Sequence, residues 1–187
     1  DLEHVLYTSQ GDSHRVVFAP GTVAEAYVQT RRAFKLAYDY QIPSIVLYDQ
    51  KLGGELVNVP ASVFDEEPNP DLGSTLTEAE LEDAPHSPTG KFHRFRHDRG
   101  DDNVSPRSIP GQKGGRFLTT GNEHNQSGHI SEDPENRVIQ MDYRMNKLDT
   151  IRADLDSRES HQTAYGPDAA DYGILTFGSQ QGTVEEA

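Results

Sequence analysis

The chain has 187 residues, enough for one domain or for one domain and the start of another, and its 33% hydrophobic and 8% aromatic content is lean for a packed globule. Its 31 Asp and Glu against 17 Lys and Arg give a formal net charge of −14, which argues against nucleic acid and anionic membranes as partners, because phosphate surfaces need clustered cations. There is no cysteine, which excludes disulfides, thiolate zinc sites, Cys nucleophiles and Cys-ligated clusters within the chain, and no apolar run nears the roughly 20 residues of a membrane span.

The start, Asp1-Leu2-Glu3-His4, has no initiator Met, basic head or apolar core of a signal peptide. Arg15-Val-Val-Phe-Ala19 is apolar and β-branched and stops at Pro20-Gly21; this predicts a buried strand. Thr22-Val-Ala-Glu25 has capping-box spacing, and Val23, Ala26, Tyr27, Thr30, Ala33, Phe34, Ala37 and Tyr38 recur at helical intervals. A helix over 22–40 is expected, ended by Ile42-Pro43. Ser44-Ile-Val-Leu-Tyr48 is a second continuous apolar strand. Strand, helix and strand make a βαβ unit, and continuous apolarity suits a parallel sheet covered on both faces. Such a sheet is expected to have further strands.

Residues 65–90 hold Pro68, Pro70, Pro85 and Pro88 among acidic and small polar residues and read as an exposed acidic arm. Leu76–Leu81 could form one helical turn, but a solvated loop is favoured. Phe92-His-Arg-Phe-Arg-His97 alternates aromatic and basic side chains. RNA contact is conceivable from that pattern; a patch this short on so acidic a chain points rather to an edge strand or arm packing its Phe residues. Phe117–Thr120 reads as a short strand. Acid at Glu132, Asp133 and Glu135 favours a helix N-terminus, and Val138, Met141, Met145, Leu148, Ile151 and Leu155 form one apolar stripe on a long helix over 134–156. After a polar linker, Tyr172–Phe177 reads as a strand and Gly178-Ser-Gln-Gln-Gly182 as the loop into a helix, the way an α/β domain opens.

Glu123-His124-Asn125-Gln126-Ser127-Gly128-His129 is the most site-like cluster. Two imidazoles with carboxylates of Glu123, Glu132 or Asp133 could ligate a metal, and His124 could act in acid–base work. The two His share no helical face, so a hydrogen-bonded loop is the favoured reading. Gly178–Gly182 resembles a phosphate-cradling loop only in outline, since it lacks the Lys of a P-loop.

The ordered set of motifs resembles the α subunits of 2-oxoacid:ferredoxin oxidoreductases. Arg15–Gly21, Ile42–Gln50 and Leu52 are similar to the end of their pyrimidine-binding domain. Gly100, Val104-Ser-Pro-Arg-Ser-Ile-Pro-Gly111, Thr120–His124 and Gly128–Glu132 continue the likeness, as do Arg137, Met141, Arg144, Lys147 and Leu148 on the long helix. Asp171–Gly182 resembles the opening of their transketolase C-terminal-like domain. The fold class expected is α/β: a Rossmann-like parallel-sheet fragment of a thiamine-diphosphate-binding fold, with a long C-terminal helix and the first strand of a second α/β domain. Residues 1–64 would be the end of the pyrimidine-binding domain, 65–90 the arm, 91–157 an extension with the long helix, and 158–187 a linker and the next domain's start.

The resemblance implies oxidative decarboxylation of a 2-oxoacid such as pyruvate on thiamine diphosphate, with the acyl group passing to coenzyme A and electrons to ferredoxin. It implies a heterodimer with a β subunit that carries Mg2+ and a [4Fe-4S] cluster, and a cytoplasmic setting. The acidity suits either a halophilic cytosol, where salt screens carboxylate repulsion, or simply an acidic protein. The family's Tyr-Pro-Ile-Thr-Pro-type and Gln-Arg-Gly-Gly segments are expected upstream, so this piece alone is expected to be inactive and to bind none of these cofactors tightly. No catalytic or metal-ligating residue is assigned and the cofactor-binding residues stay unknown. Asn125 stands where the family commonly has Asp, and Glu123, His124 and Arg107 are expected to shape turns. A non-catalytic acidic scaffold that kept an enzyme fold is the alternative.

Overall fold

The computed structural model describes residues 1–9, 11, 13–65, 71–98, 100–156, 166–167 and 169–186. They divide into two compact units, Asp1–Asp71 with Asp154–Ala187, and Leu72–Ala153. No helix among them is long and apolar enough to cross a membrane.

The first unit is the α/β part. A short helix α1 (Leu2–Tyr7) precedes strand β1 (Val16–Phe18), helix α2 (Val23–Tyr40), strand β2 (Ser44–Val46) and helix α3 (Gln50–Gly54). β1 and β2 pair in parallel, with Val16 opposite Ser44 and Phe18 opposite Val46, so the βαβ reading holds. Among the described residues the sheet has these two strands only. The N-terminus of α2 forms as its spacing requires, with one change. Thr22 Oγ1 accepts from the Glu25 amide at 3.2 Å, while the Glu25 carboxylate reaches one residue further back, to the Gly21 amide at 2.8 Å. The helix ends with Gln41 in the left-handed region at φ 54°, two residues before a proline that cannot continue it.

Phe18, Ala33 and Leu36 form the core of this unit, with Val16, Tyr40, Val46 and Leu155 packed around them. The buried face of α2 differs from the expected stripe: Leu36 is 1% exposed, whereas Phe34 is 56% exposed. The sheet touches the side of α2 that carries positions 33, 36 and 40, and Phe34 lies off that side. Tyr27 is instead used laterally, edge-on to Phe64 with ring centroids 4.9 Å apart. A 3-10 turn at Gly178–Gln180 leads into a short helix α6 (Gln181–Glu186). The strand expected at 172–177 does not form: no described segment pairs with it, and Leu175 is fully exposed. An extended segment without a neighbour has no ladder to satisfy its backbone groups.

The second unit is mostly irregular. Residues 71–90 are largely exposed, as expected, but they are not a plain solvated loop. They carry a helix α4 (Glu78–Asp83) with a complete capping box between Thr77 and Glu80, and Leu81 on it is fully buried. The acidic residues point outward and disguise that one anchor. Residues 92–97 and 117–120 form no strands. Their backbone groups bond to scattered partners instead of one neighbour: Phe92 N to Arg116 O, His93 N to Pro85 O, Phe95 N to Gln126 O. Phe92 is nonetheless fully buried, as a packing role required. Residues 158–165 of the expected linker lie outside the described set.

The long helix α5 (Pro134–Asp156) has the expected bounds, and the Asp133 carboxylate accepts from the Glu135 amide at 3.1 Å in its first turn. Its buried face follows the expected stripe only toward the C-terminal end, where Ile151 is buried and Leu155 packs against the core. Val138 is 58% exposed and Met145 47%, while Asn136, Gln140, Lys147 and Ile151 are buried. These four lie at helical spacing on one side, and three are polar. The helix is held by hydrogen bonds to loops more than by an apolar seam.

Candidate functional site

The loop Glu123–Ile130 closes on itself. The Asn125 side-chain oxygen accepts from Ser127 N, Ser127 Oγ and His129 N at 3.0, 3.0 and 3.2 Å, while Asn125 N donates to His129 O at 2.8 Å. Gly128 sits at φ +84°, and a Cβ there would fall 1.6 Å from Leu118 O, so only glycine fits. Asn125 is the hub of this turn; the sequence offered it only as a substitution for Asp.

The site-like residues do not converge on a metal. Glu123 accepts from Arg137 at 2.8 Å and from Arg144. Burial alone pushes its carboxyl up, but the hydrogen bonds from Arg144 and Arg137 outweigh that and hold it below its ordinary value of 4.5. His124 stacks on Phe95, ring centroids 4.0 Å apart, with Nδ1 buried and without a hydrogen bond. Burial pushes its pKa below 6.5. His129 faces Lys91 Nζ at 3.1 Å instead. Among the described residues no group of three or more His, Asp or Glu is placed to hold a metal ion.

The polar face of α5 receives this loop. Asn136 Nδ2 donates to His124 O at 3.0 Å while its Oδ1 faces His97 Nε2 at 3.0 Å. Gln140 Nε2 donates to Phe95 O at 2.9 Å, and the Tyr143 hydroxyl donates to His97 O. One turn of helix after another therefore satisfies carbonyls of two loops that have no ladder of their own. The spacing 136, 140, 143, 147 was available in the sequence, but polar residue types hid it as a buried face.

A cleft of about 640 Å3 opens in the same unit, lined by Arg94, Arg107 and Arg116 with Phe95 and the Ser108–Gln112 loop, and among the described residues none of its lining is acidic. Arg94 is buried, with Nη1 donating to Ser105 O at 2.9 Å and its guanidinium 5.5 Å from the Phe95 ring centroid. Arg107 donates to Leu72 O at 2.8 Å. The loop is tied by Ser108 Oγ to Gly115 O at 2.7 Å, and by the Gln112 side chain to both Ile109 N and Leu76 O at 2.7 and 2.8 Å.

In the first unit, a cleft of about 330 Å3 lies at the carboxyl end of β2, lined by Asp1, Leu47, Tyr48, Asp49 and Phe177 among others. Carboxyl ends of parallel strands are where such sheets place ligands. Asp49 caps α3 by accepting from Leu52 N at 2.9 Å and also accepts from Ser179 Oγ; these two bonds, in that order, hold its carboxyl below the ordinary range. The apolar wall would accept a heteroaromatic ring. Among the described lining residues the charged side chains are the carboxylates of Asp1 and Asp49, with no Lys or Arg, and such side chains do not fit the charged end of thiamine diphosphate.

The family model for the pyruvate flavodoxin/ferredoxin oxidoreductase thiamine-diphosphate-binding domain matches residues 2–143. The α subunit of 2-oxoacid:ferredoxin oxidoreductase 2 from Aeropyrum pernix is 29% identical over the whole chain. The α subunit of 2-oxoacid:ferredoxin oxidoreductase 1 from Sulfurisphaera tokodaii is 31% identical over 186 residues. The chain spans 27% and 28% of their lengths. A solved 2-oxoglutarate:ferredoxin oxidoreductase from Magnetococcus marinus, with 2-oxoglutarate, coenzyme A and succinyl-CoA bound, superposes on all of this chain and 30% of its own, at a TM-score of 0.77 and 28% identity. The chain therefore belongs to the thiamine-diphosphate-binding domain family of the pyruvate flavodoxin/ferredoxin oxidoreductases.

Proposed function

We propose that the protein carrying this chain is the α subunit of a thiamine-diphosphate-dependent 2-oxoacid:ferredoxin oxidoreductase. It cleaves a 2-oxoacid such as pyruvate, releasing CO2, passing the acyl group to coenzyme A and an electron pair to ferredoxin. The observation that carries this reading is likeness along the whole chain to such enzymes, in sequence and in fold. Thiamine diphosphate supplies the carbanion chemistry when bound. This chain's part is the α/β framework with an apolar wall at the carboxyl end of β2. Among the described residues no Lys or Arg side chain lines that wall, which suits a diphosphate and Mg2+ held by a β subunit that would also carry the [4Fe-4S] cluster. A cytoplasmic setting fits the use of ferredoxin and coenzyme A, and the −14 charge suits a cytosol of high salt.

The test is reduction of ferredoxin by the full-length α subunit with its β partner, given thiamine diphosphate, Mg2+, coenzyme A and either pyruvate or 2-oxoglutarate. Reduction that requires both the 2-oxoacid and coenzyme A is expected, and the faster substrate names the specificity. An intact assembly that binds no thiamine diphosphate and reduces nothing would leave the acidic-scaffold reading instead. The 187 residues by themselves are expected to turn over neither substrate.

A further inference from the structure

His86 joins two segments of the second unit that are far apart in the chain. Its Nδ1 lies 2.7 Å from Ala84 O, at the C-terminal cap of α4, and its Nε2 lies 2.9 Å from Gly114 O. The Phe92 ring flanks it, with centroids 6.2 Å apart, and the two residues form an isolated antiparallel bridge. Gly114 takes φ +79°, a left-handed bend that residues with a Cβ rarely adopt. The loop around it also rests on α4, since a Cβ on Gly115 would lie 3.3 Å from Leu81 Cδ1. Residues 108–112 and 115 of that loop line the arginine-rich cleft, so whatever holds Gly114 steadies a wall of the cleft.

Both hydrogen-bond neighbours of the ring are carbonyl oxygens, which accept and never donate. A neutral imidazole has one N–H and one lone pair, so it serves one of them and sets two lone pairs against each other in the second contact. The imidazolium has two N–H groups and serves both. We infer that His86 is a proton-operated latch: as the cation it ties the end of α4 to the 108–115 loop, and on losing its proton it lets Gly114 go. The Ala84 contact spans two residues and the Gly114 contact 28, so the local one is kept and the distant one is lost. The charged side chains on the surrounding segments are engaged elsewhere or exposed. On α4, Glu82 faces Lys113 at 4.0 Å, Glu78 accepts from Lys113 N at 3.4 Å, and Glu80 serves the capping box. Lys91 faces His129, and Asp83 and Arg116 are exposed. His93 is the other imidazole nearby; burial lowers its pKa, and His86 lowers it further. The inference is independent of the oxidoreductase reading, because it rests on the two contacts of one ring.

The experiment is hydrogen–deuterium exchange on the full-length protein from about pH 5 to about pH 8, the window in which an imidazole changes charge. Amide exchange is read in peptides covering residues 112–116 and corrected for the intrinsic effect of pH. Exchange at the imidazole C2 position, read in peptides that separate His86 from His93, follows the titration of each ring. A latch that needs the charged ring holds at the acid end and opens as pH rises. Protection at 112–116 is therefore expected to fall roughly fivefold or more, along the same curve as the titration of His86. The sign is opposite to that of a buried imidazole such as His93, whose contribution is lost as pH falls. His86→Gln, which carries no titratable proton, should abolish the step. Protection at 112–116 that does not change with pH, or that rises with it, overturns the inference. So does a step that survives in His86→Gln. Should that variant fail to fold, the parent alone decides: a fall in protection whose midpoint differs from that of His86 overturns the latch. None of these outcomes bears on ferredoxin reduction, so the two readings fail separately.

Discussion

The two units bury different chemistry. The first hides mainly aliphatic and aromatic side chains, Phe18, Ala33 and Leu36, between a parallel strand pair and a helix, with Arg32 as the one buried charged side chain among its described residues. The second has apolar anchors too, Leu81, Phe92 and Val104, but it also buries Ser105, Ser108, Ser127, Asn136, Gln140 and Lys147. In the first unit the backbone largely satisfies itself through helix and ladder, with side chains such as Thr22, Glu25 and Asp49 needed only at helix ends. In the second the loops have no ladder, so side chains must supply the missing hydrogen bonds, and a polar core follows from irregular backbone.

Substitutions sharpen this contrast. Phe92→Ala should remove about 3–5 kcal/mol and Leu36→Ala about 2–5 kcal/mol, the usual range for large core truncations, read by urea denaturation. Equal effects at both sites would show that each unit still depends on an apolar centre. Asn136→Ala should cost about 1–3 kcal/mol by leaving the His124 carbonyl and His97 without their partner. In the same assay Val138→Ala, on the exposed side of α5, should lie within about 0.5 kcal/mol of the parent. The reverse ranking would restore the apolar stripe read from the sequence. Thr77→Ala should lose about 1 kcal/mol through the capping box of α4, measured as a fall in urea midpoint at constant slope.

Acid gives the finest test. His124 is held below 6.5 by burial, so it binds a proton more readily unfolded than folded; its contribution is present at neutral pH and is lost as pH falls below 6.5. His93, lowered by burial and by the neighbouring His86, acts in the same direction. Glu123, held below 4.5 despite its burial, contributes above that value and is lost only at lower pH. Stability of the second unit should therefore decline in two stages on acidification. His124→Phe should blunt the upper stage and Glu123→Gln the lower one, followed by fluorescence or exchange of peptides in 92–131. A single stage unaffected by either change would remove both groups from the account.

Much of the first unit was legible because its signals are local. The apolar runs at 16–18 and 44–46, the Thr22 cap and Pro43 each report on a few neighbouring residues, and α5 was bounded by Asp133 and its own length. The misreadings share one cause. Val138 and Met145 read as core and α4 as a solvated loop, and Gln140 and Asn136 gave no sign of burial, because hydropathy predicts burial only where the backbone satisfies itself. Leu81, flanked by acidic residues, and Asn125, a polar hub with three hydrogen bonds, carry no periodic signal at all.

The cleft shows the same limit. Arg107 stood out in a Pro- and Gly-rich stretch, but nothing in the sequence placed Arg94 and Arg116 beside it, since those neighbours are set by the Phe92–Arg116 and Arg94–Ser105 hydrogen bonds. The sequence by itself determined the α/β start, the long helix, the acidic surface and the family likeness, because these depend on residue type and short-range order. Only the tertiary structure decided which face of each helix is buried, that residues 71–90 fold, and where arginine gathers, because those outcomes depend on which distant loop happens to need a hydrogen-bond donor.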